Sequence, residues 1–184
     1  MDSSLNAEWV LYFHAKNKDK LYADNTTLLM KIDTIKLFWQ TLNNIPKPLA
    51  MFSDGVTKKI IGRTGETPNA LSFFRSNSYP SWEHKSNING FEWSFRKFKD
   101  VRDINILWIN LLIFIISEEN EHSDSINGAR IVDCTIDNKV MYRIEIWLNN
   151  KDLKDYFEIK LKEVLNVNTY TKLLYRDHSV VKES

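Results

Sequence analysis

The sequence predicts an α/β (α+β) fold in which extended segments and amphipathic helices share one core. Three observations point there. β-Branched and aromatic residues alternate with polar ones, with period two, at 91–98 and in a hairpin at 128–135 and 140–148. Apolar residues recur at helical spacing at Ile35, Phe38, Trp39 and Leu42, and again at Leu153, Phe157, Leu161 and Val164. Between them, 104–116 is apolar at 11 of 13 positions, too short to cross a bilayer.

In chain order, Trp9-Val10-Leu11-Tyr12-Phe13 reads as a strand within 8–14. Residues 16–20 form a charged turn, and a second strand covers 26–32. Asp33-Thr34 then caps a helix, which Asn43-Asn44 and Pro46 stop. Residues 43–69 hold three of the four prolines and three of the five glycines, and read as a long loop insertion in a single domain spanning 1–184. The strand at 91–98 follows, then a helix at 103–117. In that helix Ile104, Trp108, Leu111, Leu112 and Ile115 make a core stripe, so Ile106, Ile109 and Ile113 are surplus. Either another segment covers them or they form a docking face for an amphipathic partner helix. The hairpin turns near Asp137-Asn138, with Tyr142, Ile144 and Ile146 alternating against Arg143, Glu145 and Trp147. A last helix at 151–165 and a short strand at 170–175 complete the chain.

At 184 residues, 43% hydrophobic and 27% charged, this is an ordinary globule in composition. A net charge of +1 supplies no global field for nucleic acid. Any contact to RNA must be local and engage few phosphates, which argues against a duplex or long-strand binder. The single cysteine, Cys134, cannot form an intramolecular disulfide, and no secretory signal opens the sequence, so a cytoplasmic, reducing setting is expected. The four histidines share no ligand spacing, so neither metal nor cofactor is expected. No phosphate loop, nucleophile elbow or His/Cys pair occurs, and Glu118-Glu119 sit at a polar helix end. Nothing in the sequence supports an enzyme.

The most informative segment is Tyr79-Pro80-Ser81-Trp82-Glu83. It sets an aromatic face beside a carboxylate within a loop. An exposed aromatic can stack on a nucleobase while a neighbouring acceptor reads its edge. Six tryptophans, at 9, 39, 82, 93, 108 and 147, are many for this length, and most would fill a core.

With those residues in view, the chain resembles the cap-binding translation initiation factor 4E family over about 5–178. The carrying residues are Trp9-x-Leu11-x-Phe13 with Tyr22; Asp33-Thr34-Ile35 with Phe38-Trp39; Ser72-x-Phe74-Arg75 leading to Pro80-x-Trp82-Glu83; and Trp93. They continue with Trp108-x-x-Leu111-Leu112 and Glu118; Ser123-Asp124-x-Ile126-x-Gly128-Ala129; Trp147; and Tyr175 with His178.

The resemblance implies a strongly curved antiparallel sheet with three helices on its convex face and a slot for the 7-methylguanosine cap of mRNA on the concave face. It implies that Tyr22 and Trp82 sandwich the base, whose positive charge adds cation–π energy. Glu83 would accept from the guanine edge and Trp147 would touch the methyl group. Of two family cations in the hairpin, one falls on Arg143 and the other on Cys134, so Arg130 or Lys139 would substitute. A further family arginine is Glu92 here, and Tyr22 stands where the family usually has tryptophan. On the convex face, Ile35, Trp39, Ile109 and Ile113 would receive a Tyr-x-x-x-x-Leu-hydrophobic helix from a scaffold factor of the 4G type or a 4E-binding protein. The expected state is a monomer that starts translation. The alternative is a repressor-type or cap-weak paralogue acting mainly as an adaptor, which Tyr22, Glu92 and Cys134 favour. The long loop is expected first as a flexible surface insertion; the alternative is that its Lys58, Lys59 and Arg63 enter the slot side and help hold phosphate.

Overall fold

A computed structural model describes residues 3–17, 21, 23–53, 58–60, 66–98, 101–117, 120–136 and 139–180. Its frame is one seven-stranded antiparallel sheet of β1 (Ser4–Lys16), β2 (Thr26–Thr34), β3 (Thr67–Arg75), β4 (Phe91–Phe98), β5 (Ile126–Asp133), β6 (Met141–Leu148) and β7 (Leu174–Asp177). The strand order is β2-β1-β3-β5-β6-β4-β7, so β2 and β7 are the edges. Register shifts in β1 at Leu11/Tyr12 and His14/Ala15, and at Ile126/Gly128 in the β5–β6 ladder, are the bulges through which a sheet bends.

Alternation gives the sheet two different faces. Trp9, Leu11, Leu71, Phe73, Ala129, Ile131, Ile144, Ile146, Phe91 and Trp93 point to the helices and form the main core. The helices are α1 (Ile35–Asn44), α2 (Pro48–Phe52), α3 (Ile104–Ile116) and α4 (Lys154–Val164). Thr34 caps α1 by accepting from the Leu37 N–H at 3.2 Å. Helix α3 buries Ile104, Leu107, Trp108, Leu111, Leu112 and Ile115, the expected stripe plus Leu107. Each such side chain contributes about 1.5–3 kcal/mol of burial, enough to fix a helix that has no side-chain cap.

Four differences from the sequence reading have physical causes. β3 was not expected as a strand, because Ala70-Leu71-Ser72-Phe73-Phe74 is buried on both faces and so loses period two. Helix α2 lies inside the expected loop. Pro48 occupies its first turn, where a missing N–H costs nothing, and Asn105 of α3 accepts from the Leu49 N–H at 3.0 Å. It makes a fourth helix where three were expected. The last strand lies at 174–177 rather than 170–175, held by its pairing of Arg176 with Glu92, while Tyr170 is 94% exposed. The last helix opens with a 3-10 turn at Lys151–Leu153.

Gly128 shows how tightly the second face is built. A Cβ there would stand 2.4 Å from Phe74 Cγ and 2.6 Å from the Phe73 carbonyl oxygen. Only glycine lets β5 lie against the Phe74 ring.

Candidate ligand-binding site

The face away from the helices carries a small second cluster of Val10, Tyr12, Phe74 and Trp147, against which Tyr79 and Trp82 pack. The latter two belong to the loop 76–90 between β3 and β4. Its shape depends on one buried amide. Asn87, 0% exposed, donates through Nδ2 to the carbonyls of Tyr79 (2.6 Å) and Ser81 (2.8 Å), fixing the segment just before Trp82. Its Oδ1 accepts from Asn127 Nδ2 at 2.8 Å, and its carbonyl lies 3.0 Å from His178 Nδ1. The loop is therefore tied to β5 and to the turn after β7.

Around this loop lies a cavity of about 660 Å³, whose wall includes Ala23, Tyr79, Trp82, Glu83, Arg130 and Trp147. Trp147 is its floor. The indole meets Phe74 edge to face at 5.3 Å and donates through Nε1 to Glu145 Oε2 at 2.9 Å. Glu83 is exposed at the rim, where the Ser81 hydroxyl donates to its carboxylate. That hydrogen bond, helped by one from its own backbone, holds the Glu83 carboxyl below its ordinary range, so it is an acceptor at neutral pH. An aromatic plane, an apolar floor, a carboxylate and a guanidinium lining one cavity suit a flat, donor-edged, anionic-tailed ligand.

A strip of charge runs beside the cavity, and the sequence showed no sign of the parts that Glu145, Arg176 and His14 play in it. Glu145 is fully buried and takes Arg143 Nε at 2.6 Å as well as the Trp147 indole. Arg143 is thus committed to a carboxylate and is not part of the cavity wall. Glu92, 1% exposed, lies 3.6 Å from Arg176 and 3.5 Å from His178 Nε2. Burial pushes the Glu92 carboxyl up, but His178, Arg176 and Arg143 together outweigh this and leave it below its usual range. Cys134 follows β5, half-buried, and burial pushes its thiol up. Lys139 is exposed in the hairpin turn. Beneath Arg130, the buried His14 places Nε2 2.6 Å from Ser72 Oγ and Nδ1 3.0 Å from Thr26 Oγ1. Burial, then the nearby Arg130 charge, push its pKa down to about 3.

The remaining candidates separate by location. Trp82, Glu83, Trp147 and Arg130 come together at the cavity. Tyr22 lies outside the described residues, and so do Arg63, Glu118 and Glu119. Ile35, Trp39 and Ile113 are 43%, 40% and 40% exposed on the helical side, and Ile109 is half-buried there. The loop lysines do not enter the slot side. Lys58 pairs with Asp133 at 3.2 Å, and Lys59 donates to the Ala50 carbonyl. Asp133 is the register partner of Tyr142, whose ring stacks on Phe52 of α2, so this ion pair lies on the helical side.

The chain is 28% identical over 182 residues to eukaryotic translation initiation factor 4E of Saccharomyces cerevisiae, covering 95% of this chain and 76% of that protein. It is 27% identical to the Xenopus laevis factor over 95% of this chain and 76% of the other. The crystal structure of Ascaris suum eIF4E-3 with m7G cap superposes with a TM-score of 0.80 at 22% identity, covering 99% of this chain and 96% of that one. A complex of C. elegans eIF4E-3 with the 4E-binding protein Mextli and cap analog gives 0.78 at 21%, covering 97% and 94%. Residues 4–184 match the family model described as eukaryotic initiation factor 4E, and the chain belongs to that family.

Proposed function

We propose that the chain is a binding protein of translation initiation, not a catalyst. It holds the 7-methylguanosine cap of mRNA in the 660 Å³ cavity and recruits a scaffold factor or 4E-binding protein through its helical side, in the cytoplasm. One observation carries the reading: Trp82 and Glu83 stand side by side at a cavity floored by Trp147 and flanked by Arg130. Trp82 stacks on the base, with Tyr22, next to the cavity-lining Ala23, on the other face. Methylation makes the purine cationic, which adds cation–π attraction to stacking of about 1–3 kcal/mol. Glu83 accepts from the guanine N1–H and exocyclic amine, and Arg130 meets the phosphates. Ile35, Trp39, Ile109 and Ile113 take an amphipathic helix.

The test is a pair of substitutions. Trp82→Ala abolishes retention on immobilised 7-methyl-GTP, whereas Trp39→Ala spares it and abolishes binding of a Tyr-x-x-x-x-Leu-hydrophobic peptide. Loss of cap retention in a folded Trp39→Ala protein would refute the division into two faces. A second reading, an adaptor with weak cap affinity, draws on the commitment of Arg143 to Glu145 and on Cys134 in place of a cation. Tryptophan-fluorescence titration with 7-methyl-GTP against GTP separates the two.

A further inference from the structure

Guanine presents three groups along one edge: two donors, N1–H and the exocyclic amine, and one acceptor, the 6-oxo oxygen. The Glu83 carboxylate is acceptor-only at neutral pH, so it meets both donors and leaves the oxygen unmet. An enclosed oxygen without a donor has lost its water for nothing, and binding weakens. The edge still lacks a donor beside Glu83. Among the described side chains of the cavity wall, most donors are engaged elsewhere. The Ser81 hydroxyl donates to Glu83 and the Trp147 indole N–H to Glu145. The Trp82 indole N–H is buried. Tyr79 packs on the aromatic cluster, edge-on to Tyr12 at 5.5 Å. Arg130 belongs to β5 and not to the loop that carries Glu83. There remains His84, the residue after Glu83, which also lines the cavity.

His84 is half-buried, and its backbone is fixed on both sides. Its N–H donates to the Ser81 carbonyl at 3.3 Å, closing a tight turn around Trp82 and Glu83. Its carbonyl accepts from the Asn87 N–H at 2.8 Å and the Ile88 N–H at 3.0 Å. Ser86 then sets the ring. The Ser86 hydroxyl lies 2.7 Å from His84 Nδ1, and the Ser86 backbone N–H donates to the same nitrogen at 3.3 Å. A backbone N–H can only donate. Nδ1 is therefore the lone-pair nitrogen, and the ring hydrogen sits on Nε2. Both hydrogen bonds to the ring use Nδ1, so among the described residues Nε2 is left without a partner. A donor oriented in advance loses little freedom when a ligand takes it up.

We infer that His84 is a base-specificity residue of the slot: its Nε2–H donates to the 6-oxo oxygen of the purine, while Glu83 accepts from N1–H and the amine. The inference rests on the reading of the cavity as a cap-binding slot and deepens it. Stacking on Trp82 tolerates any base. The Glu83–His84 pair therefore selects guanine among 7-methylated purines, matching acceptor to donor and donor to acceptor. A purine with an amine at position 6 turns a donor toward Nε2–H and is rejected.

The test titrates 7-methyl-GTP and 7-methyl-6-thio-GTP into the wild type and into His84→Phe by tryptophan fluorescence. Sulfur is a weak acceptor, so the wild type prefers the oxo nucleotide. In His84→Phe that preference falls by about 3- to 10-fold, and the loss lies on 7-methyl-GTP. An unchanged preference overturns the inference and leaves the oxygen to a backbone N–H. An equal weakening of both nucleotides also overturns it and makes His84 only a support of the loop. Nitrogen NMR of the wild type needs no variant. The imidazole shifts place the ring hydrogen on Nε2, and 7-methyl-GTP slows its exchange more than the thio nucleotide does. A ring hydrogen on Nδ1, or an Nε2 signal indifferent to ligand, overturns the inference. Failure of the wild type to bind either nucleotide sinks the functional reading itself, whereas binding with an unaltered preference in His84→Phe sinks the role of His84 alone.

Discussion

His14 offers the sharpest physical prediction because its environment fixes its charge. The imidazole is 1% exposed, lies between the hydroxyls of Ser72 and Thr26, and has a pKa pushed down to about 3 by burial and by Arg130. In the unfolded chain the same group titrates near 6.5. Between those values the unfolded chain binds a proton that the folded protein refuses. Stability from this group is therefore complete above pH 6.5 and falls as the pH drops toward 3, by about 1.4 kcal/mol per pH unit. At pH 5 the accumulated loss is about 2 kcal/mol. His14→Gln removes this titration and also loses hydrogen bonding, at a cost of about 1–3 kcal/mol at neutral pH. Urea unfolding at pH 7.5 and pH 5 measures both proteins. The expected result is a wild-type advantage that shrinks by about 2 kcal/mol at the lower pH. The other histidines are common to both chains and cancel in the difference. An advantage that stays constant would refute the account of a buried neutral imidazole.

Three further outcomes follow from the packing. Gly128→Ala drives a methyl group to within 2.4 Å of the Phe74 ring and 2.6 Å of a backbone oxygen, so it destabilises by about 1–3 kcal/mol in chemical denaturation and shifts the Trp147 indole resonance through Phe74. Asn87→Ala frees the Tyr79 and Ser81 carbonyls and leaves the Asn127 amide only the Ser86 carbonyl as acceptor; it lowers stability by about 2 kcal/mol, speeds amide exchange in 76–90 and weakens 7-methyl-GTP binding. Lys58→Ala leaves cap-analogue affinity within about twofold, since Lys58 is engaged with Asp133 on the helical side; a larger loss would return that lysine to the phosphate site.

Much of the frame was readable because it depends on local periodicity. The apolar excess of α3 anticipated both its buried stripe and its exposed Ile106 and Ile113. The hairpin alternation anticipated that Arg143, Glu145 and Trp147 share a face. The Trp82-Glu83 step was legible because two unlike side chains adjacent in a polar loop have few structural reasons to be there. What stayed hidden was set by pairing across long sequence distances. Asn87 and Asn127 look like ordinary polar residues, and only the folded sheet joins them to His178 in one buried hub. Glu92 read simply as a lost arginine. Its role emerges from the register of β4 with β7, which supplies Arg176 as its counter-charge. Likewise Pro48 read as a breaker, yet at the first turn it starts α2.

The contribution of β7 and the turn after it has a consequence for biosynthesis. His178 braces the loop through Asn87, and Arg176 reaches the Trp82 ring, so a pocket wall drawn from residues 23 to 147 is supported from behind by residues 176 and 178. A chain emerging from the ribosome has Trp82, Glu83 and even the Trp147 floor in hand well before that closing segment. Nascent protein therefore passes through a stage with its tryptophans uncovered and its loop unbraced, and becomes competent for its ligand only once residues 174–178 have left the exit tunnel.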